Sequence, residues 1–160
     1  MNFEPMNIII DSREQSPWAW EPHLVKTRVC GLDAGDYALE ADSTPVTGRQ
    51  TLAVAFAIER KSLDDFIGTI SSGWDRFREE LYRMREFPAR IVIVEGNFEE
   101  CCFSEAGPPT HNHTRIQPGF IAKRTAELAL MGVVVVFAGN ACFAAAMAYR
   151  IFRERLEFGK

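Results

Sequence analysis

Hydrophobic positions along this chain follow two periods, and the switches between them mark out its elements. Ile8-Ile9-Ile10 is an uninterrupted apolar run and predicts a short buried strand over residues 7–11. Ser12-Arg13-Glu14-Gln15-Ser16-Pro17 reads as a polar turn, and Pro22 breaks any helix near Trp18 and Trp20. A second strand is predicted over 25–32, a turn over 31–35, and a third strand starting at Tyr37-Ala38-Leu39. Residues 41–50 are rich in turn formers and predict a hairpin loop, followed by one strand over 52–59.

Helical spacing takes over at Ser62. A helix is predicted over 62–70, broken by Ser71-Ser72-Gly73, and a stronger one over 74–87 with Trp74, Phe77, Leu81 and Met84 on one face. Residues 89–95 form a continuous apolar run, as a central strand covered on both faces requires. A short helix over 98–103 precedes a loop over 105–118 that holds three prolines and the pair His111 and His113. A helix over 119–131, a strand over 133–137 and a long helix over 141–158 complete the chain. Strands first, then helices alternating with strands, predict an α/β fold: a central mixed β-sheet flanked by helices on both faces.

Composition narrows the class. At 160 residues and 47% hydrophobic, with 12 Phe and 3 Trp, the chain suits one domain with a real core. Cys30, Cys101, Cys102 and Cys142 form no C-x-x-C pair, so neither a zinc ribbon nor a disulfide scaffold fits. The first residues lack a basic region followed by an apolar run, and a reducing, cytoplasmic setting is expected. The most apolar stretch, 132–149, is interrupted by Gly139-Asn140 and reads as strand plus helix, so no membrane span is expected. Net charge is −4, but acids outnumber bases nine to five over residues 1–60, and bases outnumber acids seven to four over 101–160. A cation bound in the acidic half would offset part of its field.

The candidate chemistry sits in that acidic half. Gly35-Asp36-Tyr37 is followed by Ile58-Glu59-Arg60-Lys61-Ser62-Leu63-Asp64-Asp65. On a strand, Glu59 and Lys61 point the same way and Arg60 the other. Two carboxylates and a lysine are the parts needed for metal-assisted attack on a phosphodiester. The acids take a hard divalent cation through oxygen, and the lysine orients the nucleophile or stabilises the charged transition state. Each residue also has a structural reading. Glu59 and Lys61 are a surface ion pair, Asp36 is a turn residue, Asp11 is a strand-end cap, and Ser62 with Asp65 is a helix capping box. It is their occurrence together, in order and on plausible elements, that favours the metal-assisted reading over the structural ones. Other features have two readings each: His111 and His113 as solvated loop or metal pair, Trp18 and Trp20 as sheet-edge plug or base-stacking platform, Cys101-Cys102 as buried apolar pair or redox site.

Asp11-Ser12-Arg13-Glu14, Gly35-Asp36-Tyr37 and Glu59-Arg60-Lys61-Ser62-Leu63-Asp64-Asp65 together resemble the XPF-type structure-specific endonuclease domain, whose signature is GD…ERKxxxD. The resemblance runs over roughly residues 7–157. It takes in Arg76 ahead of an amphipathic stretch and Ile91-Val92-Ile93-Val94-Glu95-Gly96, and it is nearest to the compact bacterial and phage members. It implies a restriction-endonuclease-like core, Mg²⁺ or Mn²⁺ as cofactor, and branched or flapped DNA as partner. Carried over by position, Asp36 and Glu59 are metal ligands, Asp11 and Glu14 are further acidic ligands, and Lys61 is the catalytic lysine. Asp65 orients Lys61 or Arg13, or caps its helix. Arg13, Arg76 and Arg60 face phosphate, Arg60 less readily because of its strand face. Residues 1–160 are expected to form one nuclease domain without the helix-hairpin-helix or helicase modules of larger relatives. The last helix carries Phe143, Met147, Tyr149, Ile151 and Phe152, either packed on the sheet or forming a homodimer contact. The alternative to an active nuclease is a catalytically silent DNA-binding or dimerisation module of the same fold; a third reading is an unrelated α/β domain whose acids are structural.

Overall fold

The computed structural model describes residues 4–103 and 116–158. Its strands are β1 (Met6–Asp11), β2 (Val25–Leu32), β3 (Tyr37–Leu39), β4 (Ser43–Pro45), β5 (Thr51–Val54), β6 (Ala57–Ser62), β7 (Arg90–Glu95) and β8 (Val133–Phe137). They form one mixed sheet of eight strands in the order β4-β5-β2-β1-β3-β6-β7-β8. The helices are α1 (Leu63–Ile70), α2 (Trp74–Arg83), α3 (Phe98–Phe103), α4 (Pro118–Leu130) and α5 (Ala141–Phe158). None of these helices is long and apolar enough to cross a membrane.

Strand alternation decides which helix covers which face. Ile91 and Ile93 of β7 pack with Ala144, Ala148 and Phe152 of α5. Val92 and Val94 of the same strand pack with Phe66 and Ile70 of α1, Phe77 and Leu81 of α2, and Ile121 and Leu128 of α4. The expected α/β fold with helices on both faces is therefore present, and β7 is the doubly covered strand that its apolar run predicts.

Some boundaries differ from the sequence reading. The single strand expected over 52–59 is two strands. β5 pairs with β4 and β2, whereas β6 pairs with β3 and β7, so the chain must change partners between them. Phe56 makes that bend and is 2% exposed, buried in the core under α5. An unbroken apolar run hides such a corner, because every residue in it is satisfied by burial of one kind or another. The expected loop over 41–50 contains a 3-10 turn at Glu40–Asp42 and then β4, which pairs antiparallel with β5. The second helix ends at Arg83, four residues early. His111 and His113 lie outside the described residues.

The aromatic segment before β2 packs inward. Trp18 is buried, stacks on Tyr37 with ring centroids 4.4 Å apart, and its backbone N–H donates to the Tyr37 hydroxyl. The Trp20 ring Nε1 donates to the Ala145 carbonyl of α5. The pair plugs the junction between the sheet and α5, leaving Trp18 no exposed face on which a base could stack. On α5, Phe152 is buried and Tyr149 and Ile151 are partly buried against the core, but Phe143 and Met147 are 66% and 41% exposed.

One turn places the acidic residue that follows it. Gly35 has φ +71°, and a Cβ built there would lie 2.5 Å from the Ala57 Cβ. Only glycine lets the backbone cross β6 this closely in a left-handed conformation. Asp36 then bridges two strands, its N–H donating to the Ile58 carbonyl and its carbonyl accepting from the Asp11 N–H. Gly35→Ala is expected to lower unfolding free energy by about 2 kcal/mol from backbone strain alone, more if Ala57 cannot give way. Urea denaturation measures it, and a midpoint equal to that of the unmodified protein would contradict the account of this turn.

Candidate active site

Antiparallel register brings the two principal acids together. Tyr37 of β3 pairs with Ile58 of β6, so one step further along Asp36 comes level with Glu59. Directly opposed residues of such a pair share a face with Cβ atoms about 5 Å apart. Lys61 lies two residues beyond Glu59 on that face, and its Nζ donates to Glu59 Oε1 at 2.7 Å. The ammonium also sits 5.7 Å from the ring centroid of Phe77 on α2. Glu59 and Lys61 are half-buried, so their charges are poorly screened.

This proximity shows in the ionisation of the group. Burial, and then the neighbouring Glu59 carboxylate, push the Asp36 carboxyl up to about 7, against the opposing pull of the Arg60 amide and the Lys61 ammonium. For Lys61, burial would lower the pKa. The charge and hydrogen bond of Glu59, with Asp36 and Glu80 behind them, outweigh burial and hold it above the usual lysine value. Lys61 is therefore a cation at neutral pH.

Asp11 stands apart from this group. It is 1% exposed, and its carboxylate accepts four hydrogen bonds: from the backbone N–H and Nε of Arg13 at Oδ1, and from the Leu32 N–H and Arg13 Nη2 at Oδ2. Burial acts to raise its pKa, but the hydrogen bonds from Arg13 and Leu32 prevail and hold it below the ordinary carboxylate value. No lone pair is left over for a metal, so the expected ligand role of Asp11 gives way to that of an anchor. What it anchors is Arg13, whose side chain is 72% exposed and feels the fields of Asp36 and Glu59.

Arg60 lies where strand alternation sends it, with Glu14 as one of its partners. Alternation turns Arg60 to the opposite face, where its Nε and Nη2 donate to both oxygens of Glu95 at 2.7 and 2.9 Å and its Nη1 donates to Glu14 at 3.0 Å. With its side chain 15% exposed and held by two carboxylates, Arg60 is not presented to phosphate, while Glu14 accepts from this guanidinium and from the Ser16 N–H at Oε1 alone and acts on the charge of Asp36. The Arg60 backbone does reach the site: its N–H donates to Asp36 Oδ2 at 2.7 Å. Glu95, which also accepts from Trp18 Nε1 at 2.6 Å, is the residue that motif reading undervalued. The signal was available, since a guanidinium directed beneath an interior strand requires carboxylates there.

Asp65 is exposed and engaged with Ser62. Its N–H donates to Ser62 Oγ, which in turn donates to Asp65 Oδ2. Of the two readings for Asp65 the capping box is the one present, with no hydrogen bond to Lys61 or Arg13 among the described residues. Arg76 is exposed on the first turn of α2, next to Phe77, and makes no ion pair among the described residues.

Asp36 and Glu59 are the residues fit to hold a metal. Among the described residues no group of three or more His, Cys, Asp or Glu stands ready for one. Two carboxylates nonetheless suit a hard cation such as Mg²⁺ or Mn²⁺, which keeps several waters and binds through one or two acids plus substrate phosphate. Burial and then repulsion from Glu59 leave the Asp36 carboxylate poorly satisfied, and a cation would offset both.

A family model described as the ERCC4 domain matches residues 10–149. Fifteen solved chains match this one. Among them is XPF from Aeropyrum pernix, at a TM-score of 0.58 and 22% identity, covering 92% of this chain and 60% of that one. The chain thus spans less than two thirds of that protein's length, and the likeness establishes the restriction-endonuclease-like fold. No curated protein matches.

The ionisation of Asp36 has a measurable sign. Its folded pKa lies above the unfolded value, so between about pH 4 and 7 the native state holds a proton that the unfolded chain has lost. Stability contributed by this group is present below that window and lost as pH rises through it. Asp36→Asn keeps an acceptor for the Arg60 amide and removes the loss. In chelator, its urea midpoint is expected to exceed that of the unmodified protein at pH 8 and to match it near pH 4. Parallel pH dependence of the two proteins would refute the assignment.

Proposed function

The chain belongs to the ERCC4 domain family, and from there we propose that it is a metal-dependent DNA endonuclease, hydrolysing phosphodiesters at or near branched or duplex/single-strand junctions. The observation that carries this reading is the convergence of Asp36, Glu59 and Lys61 on one face at the end of β6, with the Arg13 guanidinium close enough to feel both acids. An acidic pair beside a fixed ammonium is costly for a fold, and it suits a site that binds a cation and then a phosphate.

Asp36 and Glu59 would hold the cation, Mg²⁺ or Mn²⁺, which when bound supplies charge neutralisation at the phosphate and lowers the pKa of water. Lys61, kept protonated by the two acids, stabilises negative charge growing on the phosphate oxygens. Arg13 is gripped by Asp11 through Nε and Nη2, which fixes the plane of an otherwise mobile side chain and leaves its outer edge to phosphate. Arg76, on the exposed side of α2, is a second phosphate contact. Phe77 walls the site beneath Lys61. We assign residues 1–160 to one nuclease domain, and a cytoplasmic setting accords with a DNA substrate.

Exposed Phe143 and Met147 lie one turn apart on α5, and Val134, 51% exposed, lies on the edge strand β8. This apolar strip supports a homodimer through the C-terminal helix. Phe143→Glu is expected to shift the protein to monomer in sedimentation velocity, and an unchanged sedimentation coefficient would remove that contact from the proposal.

Asp36→Ala and Glu59→Ala are each expected to abolish Mg²⁺-dependent cleavage of flap and fork DNA while the protein stays folded by circular dichroism. Lys61→Met should lower turnover about a hundredfold, the cost of losing one transition-state donor. A gel assay over flap, fork, Holliday and linear substrates reads all three. Undiminished cutting by both acid variants would end the nuclease reading, and DNA binding without product from the unmodified protein would favour the catalytically silent module.

A further inference from the structure

Behind β6 lies a second charged cluster, made by Arg60, Glu95 and Glu14. Its centre is Arg60, whose guanidinium donates to Glu95 through Nε and Nη2 and to Glu14 through Nη1. All three side chains are largely buried, at 15%, 11% and 8% exposure. Glu95 and Glu14 each take one more donor, the Trp18 indole and the Ser16 N–H respectively. Three segments are thereby tied together: the turn after β1, the end of β7, and β6 between the acids.

Stability alone is a weak reason for such a cluster. Burying ions costs several kcal/mol each, and well-packed apolar residues often replace buried ion pairs without loss. What an apolar replacement would not supply is direction. Arg60 is the residue whose backbone N–H donates to Asp36 Oδ2 at 2.7 Å. Clamping its side chain from two sides fixes the peptide plane on which Asp36 rests. Groups behind a metal ligand that orient it in this way typically carry a tenfold or larger share of metal affinity.

We propose that Glu95, with Glu14 as its auxiliary, is a positioning residue for the cation site, acting through Arg60 to aim the Asp36 carboxylate. The inference rests on the nuclease reading and adds to it a residue on the far side of the sheet.

The experiment measures Mn²⁺ binding alone by calorimetry, well below the melting temperature, beside cleavage kinetics on flap DNA. Glu95→Gln is expected to weaken Mn²⁺ about tenfold and to lower kcat by about ten- to a hundredfold, with KM for DNA unchanged. Glu95→Asp should recover part of both. Asp42→Asn serves as the structural control, because it breaks a half-buried ion pair with Arg155 on α5, away from the acids. It should lower the melting temperature and leave Mn²⁺ affinity alone. A folded Glu95→Gln protein with unaltered affinity and turnover would overturn the proposal. If that variant does not fold, Glu14→Gln decides, with about threefold weaker Mn²⁺ expected and no change refuting. An unmodified protein that neither binds Mn²⁺ nor cuts would fell the nuclease reading and this one with it; one that does both leaves Glu95 judged on its own.

Discussion

The two-residue period of β6 is the constraint on which the site depends. Glu59 and Lys61 emerge on one face and Arg60 on the other, and no rotamer reverses that order. β6 is an interior strand, flanked by β3 and β7, and the side chains on both of its faces here are largely buried. Charges on an interior strand must be met by partners. On the front they meet each other and Asp36. On the back, Glu95 and Glu14 meet Arg60. Consecutive residues thus divide reactive and supporting roles, and the neighbouring strands are pinned to suit.

The contrast between Asp11 and Asp36 shows how environment, not residue type, sets the role. Asp11 ends β1, Asp36 directly precedes β3 of the same sheet, and a backbone hydrogen bond joins them. Asp11 is saturated by donors and stays ionised below the usual range. Asp36 has one amide on one oxygen and faces another acid, so its charge is poorly satisfied. A saturated carboxylate holds a fold together, whereas an unsatisfied one is available for a ligand.

Much of this was legible in the sequence, and the rest failed for physical reasons. The run Ile91-Val92-Ile93-Val94 announced a strand buried on both sides, and Ser62 with Asp65 announced a helix start. The opposed directions of Glu59 and Arg60 followed from alternation. The corner at Phe56 was hidden because burial on either side of it is equally apolar. The engagement of Asp11, Glu14 and Glu95 was hidden because a motif records which acids are present and not how many donors each receives. Those donors come from Leu32, Arg60 and Trp18, distant in the chain, and only the folded sheet assembles them.

Asp36 and Glu59 stand level across β3 and β6 as like charges held together by a scaffold that gains nothing from their repulsion. Gly35, by contrast, is demanded by the backbone itself. Under relaxed selection the two kinds of position would therefore age differently. Asp36 would drift to an amide with the architecture intact or even firmer, Glu59 would be held back by the Lys61 ammonium it pairs, and the glycine would persist. Inactive descendants of such a domain should be sturdy scaffolds, well suited to new employment as docking platforms, and a lingering glycine followed by a neutral residue would be their fossil mark.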